Sequence, residues 1–372
     1  MTSRRRNAVA LCIVFWFVLP VRAQQPGHSA RFDQIAQHYY DSGQFMGNVL
    51  VAQGDQVVFE KSYGYANEEW KLPNTADSKF RLGSITKQFT AACILLLEER
   101  GKLKVDDPVK KYVPDAPPAW DKITIFQVLT HTSGIPSFTE FKDYMDWQLT
   151  ANPPEKLIAR FRDKPLDFEP GTKWQYSNSG YALLGYVVEK ASGVTYQQFL
   201  QDNIFAPLHM ADSGYDSNSA IIPHRAAGYT REKETLVNAG YVDMSVPYSA
   251  GALYSTTHDL LRWEQGLFGG RLLSAASLKK MLTSVTEAGN PAVTAKSDYG
   301  LGLFIRKVNG RTQISHGGGI QGFNTQLAYW PDEKLTIVVL SNVNGAAPGQ
   351  ISQEIAREIH GEPPPASGSP PK

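Results

Sequence analysis

Ser84 and Lys87, in the run Phe80-Arg81-Leu82-Gly83-Ser84-Ile85-Thr86-Lys87, put a hydroxyl and an amine three positions apart. On a helix that spacing places both on one face. A serine at a helix start also sits in the positive field of unpaired N–H groups. Burial disfavours an ammonium, so a desolvated Lys87 can lose its proton and serve as base to Ser84. Ser-x-x-Lys recurs at Ser277, on a polar helix end, and at Ser369, in the Pro-rich tail; only Ser84 follows a glycine and opens an apolar helix. The plain alternative is that Ser84 is a helix N-cap. The second candidate is Tyr176-Ser177-Asn178. A phenol beside an ammonium has its anion stabilised, so Tyr176 is expected to share the base role, with the Asn178 amide binding an acyl substrate. The alternative is a capped loop ahead of a helix; Tyr65-Ala66-Asn67 has the same pattern but precedes the serine. The third is His316-Gly317-Gly318-Gly319. Glycines in series let main-chain N–H groups approach a ligand closely, and one such donor on an oxyanion contributes about 10²–10³ in rate. Here the alternative is a glycine-rich hairpin turn with an incidental histidine.

These groups need elements to hold them. Short β-branched runs at 47–52 and 56–60 around Gly54-Asp55 predict a hairpin. Residues 84–100 predict a helix with Phe89, Cys93, Leu96 and Leu97 on one face and Gly101 just past its end. Further helices are expected at 125–131, 155–161, 181–191, 196–205 and 259–268, among long Pro/Gly-rich loops. Strands follow at 299–307, 312–315, 324–330 and 335–341, joined by Asn309-Gly310, the glycines at 317–319 and Pro331-Asp332. A last helix at 351–360 carries Ile351, Ile355 and Ile359 on one face, and 362–372 is too polar to order itself. A hairpin at one end of the chain and strands at the other most economically pair into one antiparallel sheet. The expected fold class is therefore α+β, an α/β sandwich covered by the first and last helices. Its catalytic domain spans 24–361, with the sheet part at about 31–88 and 295–361 and a mostly helical insertion at about 89–294. Ligand sites favour such seams.

Composition narrows the function classes. The 372-residue chain has 37 basic and 36 acidic residues; residues 1–23 hold four arginines and no acid, so the remainder is mildly acidic. Without a basic stripe it is a poor nucleic-acid binder. Residues 1–23 read as a secretory signal, with Arg4, Arg5 and Arg6 ahead of an apolar stretch and cleavage expected after Ala23. The stretch falls short of the about 20 residues a membrane span needs; the alternative is a retained N-terminal anchor. The expected location is periplasmic or extracellular, with no membrane span after cleavage. Of two cysteines, Cys12 leaves with the signal and Cys93 reads as a small buried hydrophobe. No Cys/His cluster has metal-ligand spacing, and no cofactor is implied.

The ordered set Ser-x-x-Lys, Tyr-x-Asn and a basic residue with glycines near the last strands resembles the serine β-lactamase-related family, which includes class C-type β-lactamases, D-alanyl-D-alanine carboxypeptidases and esterases. Leu129-Thr130-His131-Thr132-Ser133-Gly134 and Ala250-Gly251-Ala252-Leu253-Tyr254-Ser255-Thr256 agree, and the similarity runs from about 31 to 360. The resemblance implies a β-lactamase/transpeptidase-like fold and an acyl-enzyme on Ser84. Lys87 and Tyr176 would move the proton, and Asn178 would orient the acyl group. The N–H groups of Ser84 and Gly319 would form the oxyanion hole, with Gly318 and His316 at the substrate. His316 stands where many relatives have the Lys of a Lys-Thr-Gly motif; a neutral imidazole would hold a substrate carboxylate less firmly. The expected substrates are therefore small-molecule esters first, D-amino acid peptides second and β-lactams third. His131 is expected to support the helical part. An α/β-hydrolase is excluded, because no Gly-x-Ser-x-Gly occurs. A non-catalytic binding or sensor module is the remaining rival.

Overall fold

The computed structural model describes residues 27–288, 294 and 296–363. The signal expected at 1–23 and nearly all of the tail lie outside them. Six strands form one antiparallel sheet: β1 (Gly47–Gln53), β2 (Gln56–Tyr63), β3 (Phe304–Val308), β4 (Arg311–Ile320), β5 (Phe323–Trp330) and β6 (Leu335–Ser341), in the order β3-β4-β5-β6-β1-β2. The N-terminal hairpin thus joins the C-terminal strands through β1 and β6, with Gly47 opposite Ser341 and Gln53 opposite Leu335.

Alternation along these central strands separates two cores. Val49, Val51, Ile337 and Val339 face α1 (Gly27–Asp41) and the C-terminal helix α5 (Ala347–His360), which contributes Ile351 and Ile355. Leu50, Ala52, Val338 and Leu340 face the larger core, shared with α2 (Thr86–Glu99), α3 (Asn178–Ser192) and α4 (Thr257–Phe268). Among the described residues no helix is long and apolar enough to cross a membrane.

Several expectations need correction. The last helix pairs with α1, which reads as a polar start in the sequence, and not with α2; α1 buries only Phe32, Ile35, Ala36 and Tyr39 from a largely polar run. α2 is buried on every side from Thr86 to Leu97, because it lies between the sheet and the helical part. The strand expected from 299 begins only at Phe304; Tyr299 turns inward and is fully buried. The glycines at 317–319 are no turn: β4 runs through them to Ile320, and the chain reverses at Gln321-Gly322. The intervening segment also carries short strands, since Phe80–Arg81 and Gly214–Tyr215 both pair with Leu253–Ser255.

Candidate active site

Ser84 sits in the single 3₁₀ turn Gly83–Ile85 that leads into α2. It caps neither helix; its hydroxyl lies 3.0 Å from Lys87 Nζ. Gly83 has φ +55°, and a Cβ there would lie 2.7 Å from the Gly319 nitrogen. Only glycine combines that backbone with so close an approach. The contact brings the main chain of β4 against the turn that carries the serine. Gly318 is packed as tightly, since its Cβ would lie 1.8 Å from the Leu82 carbonyl oxygen.

Lys87 is completely buried. Its Nζ is 2.9 Å from Asn178 Oδ1 and 2.8 Å from the Ala250 carbonyl oxygen, besides Ser84 Oγ. The amide oxygen and the carbonyl can only accept, so they use two N–H groups. The third partner is a hydroxyl that donates or accepts. An ammonium donating to all three, or a neutral amine with its lone pair on the Ser84 hydroxyl, satisfies the site, and the neutral form is the one that can serve as base. Burial holds Lys87 well below the usual lysine range, in the direction this reading requires.

Asn178 opens α3, behind the Ser177 side chain that caps the helix by accepting from the Gly180 N–H. Its Nδ2 donates to Thr139 Oγ1 at 3.1 Å and its backbone N–H to Ser137 Oγ at 3.1 Å, which fixes the amide with its oxygen on Lys87. The Tyr176 ring centroid is 4.8 Å from Lys87 Nζ. Burial pushes its phenol up, only partly offset by the Ser84 hydroxyl within hydrogen-bonding reach. Burial thus favours the protonated phenol in the resting site, where Tyr176 was expected to share the base role.

Two histidines stand behind Tyr176. His316 Nδ1 donates to the Gly317 carbonyl at 2.6 Å, so Nε2 accepts from the Tyr299 hydroxyl at 3.2 Å. Burial, then the nearby Lys87, lowers its pKa to about 3. Neutral, satisfied and buried, His316 braces the interior behind Tyr176, its ring centroid 6.2 Å from that of the tyrosine, and Gly318 is buried beside it; neither these two nor Tyr176 and Lys87 line the cavity onto which Ser84 opens. His131 accepts at Nδ1 from the Ser177 N–H at 3.1 Å, and its carbonyl accepts from the Gln175 N–H at 3.0 Å. Its ring lies 4.4 Å from that of Tyr176. It therefore brackets the tyrosine, a closer role than general support of the helical part.

Ser84, Asn178 and Gly319 open onto a cavity of about 400 Å³ whose walls include Phe138, Tyr144, Val242, Pro247 and Ile320. None of its lining side chains is acidic or basic. The Ala250 carbonyl and the Ser137 and Thr139 hydroxyls are groups of the site that the sequence analysis did not name as such. The run containing Ala250 was a signal for the first; nothing in the sequence pointed to the other two.

A profile of the family described as Beta-lactamase matches residues 32–361. Penicillin-binding protein 4* of Bacillus subtilis is 33% identical over 322 residues, covering 80% of this chain and 68% of that protein. Among solved structures, the octameric penicillin-binding protein homologue from Pyrococcus abyssi is 30% identical with a TM-score of 0.77, covering 90% of this chain and 77% of that one. The D-stereospecific amidohydrolase from a Streptomyces species is 27% identical with a TM-score of 0.76, covering 90% and 99%.

Proposed function

Because the chain belongs to the Beta-lactamase family across residues 32–361, we propose that it is a serine hydrolase that transfers the acyl group of esters uncharged around the scissile bond, and of amides more slowly, to water through Ser84. The observation that carries this reading is the buried Lys87 amine held on Ser84 by two obligatory acceptors. Lys87 takes the hydroxyl proton as Ser84 Oγ attacks the carbonyl carbon. The oxygen that becomes anionic meets the main-chain N–H groups of Ser84 and Gly319, which Gly83 allows to come together. The Tyr176 phenol gives its proton to the leaving oxygen or nitrogen as that bond breaks, and Lys87 returns its proton to the phenolate. Water then attacks the acyl-enzyme by the same transfers in reverse, releasing the acid.

The cavity walls support the order ester, peptide, β-lactam. A carboxylate next to the scissile bond, as in a D-alanyl-D-alanine peptide or a β-lactam, finds no cation there, and burying an unpaired charge is costly. A second reading, an amidase for D-configured amides, is favoured by the similarity to the Streptomyces amidohydrolase. A fluorophosphonate probe should label the wild type and not Ser84→Ala; an unlabelled wild type would favour a binding module. Turnover of p-nitrophenyl butyrate, a chromogenic cephalosporin and a D-alanyl-D-alanine peptide then orders the substrates, and fast cephalosporin hydrolysis would overturn this order.

A further inference from the structure

Beyond the wall formed by Val242 and Gln321, which line both spaces, lies a second cavity of about 280 Å³. Arg81 and Arg225 line it and are its only charged side chains. Both turn onto one carboxylate: Arg81 Nε donates to Asp216 Oδ2 and Arg225 Nη1 to Asp216 Oδ1, each at 2.6 Å. Asp216 is completely buried, while the arginine side chains are 15% and 25% exposed. Lys79, two residues before Arg81, pairs with a different carboxylate, Asp212, at 3.1 Å.

Two guanidiniums on one carboxylate leave a net positive charge facing this space. A guanidinium has five N–H donors. Arg81 uses one on Asp216, and Arg225 uses Nη1 on Asp216 and on the Ser217 carbonyl oxygen at 3.0 Å. Among the described residues no other acceptor meets either group. An ion pair that served only to pin the short strand Phe80–Arg81 to its neighbours would need a single arginine. The second leaves planar donor edges free, in the arrangement that binds a carboxylate.

We propose that this cavity is an anion subsite of the catalytic cleft, and that the preferred substrate carries a carboxylate several bonds away from an otherwise uncharged scissile ester or amide. The proposal rests on the Ser84 hydrolase reading and names its substrate class. The uncharged cavity takes the reacting end, and Arg81 and Arg225 take the far end across the Val242 and Gln321 wall.

The test compares mono-p-nitrophenyl adipate with the same ester capped by a methyl group at the distal carboxyl. The wild type should turn over the anionic ester with kcat/KM about 10-fold or more above the capped one, chiefly through KM. That preference should shrink as salt rises. Arg225→Gln should bring the ratio to about one, and Arg225→Lys should restore part of it. Ser84-dependent release at equal rates from both esters, or a salt-independent ratio in the wild type, overturns the subsite while leaving the hydrolase reading intact. No Ser84-dependent release from either overturns the hydrolase reading, and this one with it.

Discussion

The protonation of Lys87 is set by what surrounds it. Its ordinary counterpart in water is an ammonium; here burial disfavours the charge and no carboxylate among its hydrogen-bond partners offsets the desolvation. Activity should therefore rise with pH as Lys87 deprotonates, at a pKa below that of a free lysine. His316 and His131 add no step near neutrality, because burial keeps both below the usual histidine range. A kcat/KM profile for p-nitrophenyl butyrate from about pH 5 to 10 checks this, and a limb near pH 6.5 that disappears in His316→Asn would contradict it. Lys87→Met should cost about 10²–10⁴ in kcat. The Ser84 and Lys87 pair was legible because three-residue spacing on a helix is local. The protonation state of the Tyr176 phenol was not, since it depends on how deeply the folded chain buries it.

At the scale of elements, the active site is the place where one strand presses on one turn. β4 meets Leu82-Gly83 through Gly318 and the main chain of Gly319, and a side chain fits neither at Gly318 nor at Gly83. Gly318→Ala must push β4 away from the Leu82 carbonyl, and the oxyanion site moves with it. Its kcat/KM should fall about 100-fold, the usual cost of losing one oxyanion donor. Gly317→Ala is the control: its Cβ would meet the end of the flexible Gln326 side chain at 3.1 Å and the Thr325 carbonyl oxygen at an ordinary 3.6 Å. Equal activities of the two variants would remove the strand contact from the mechanism. Composition flagged these glycines, but their strand conformation emerged only from pairing with β5, because consecutive glycines alone suit a turn as well.

The whole molecule is closed by pairing its two ends, and α4 then seats the helical part against β6 and β1. That packing buries Glu264, whose carboxyl is pushed by burial up to about 8. An acid raised in the folded state binds its proton more tightly there than in the unfolded chain. Stability from this group is therefore lost as pH rises from the usual carboxylate range towards 8. Glu264→Gln keeps the shape without the proton. Its stability advantage over the wild type should grow with pH across that window, by up to about 1.4 kcal/mol per pH unit, and level off above it. Urea unfolding of both proteins between about pH 5 and 9 reads the difference directly, and so cancels the opposite slope from His131 and His316. Parallel curves would show that Glu264 is not buried as an acid.

The sequence by itself determined what is local or periodic: the Ser84 turn and its lysine, the hairpin at Gly54-Asp55, and the inward-facing isoleucines of α5. It also implied a sheet built from both ends, because each end presents a half-buried sheet face and pairing them is the most economical way to cover both. Only the tertiary structure decided which groups meet. It turned His316 into the interior, set His131 around Tyr176, put the Ala250 carbonyl on Lys87, and gathered Arg81 and Arg225 on one aspartate. The physical reason is that charge state and hydrogen-bond partner are properties of a three-dimensional neighbourhood. Residues some 90 to 230 positions apart share one neighbourhood here, and no spacing along the chain encodes it.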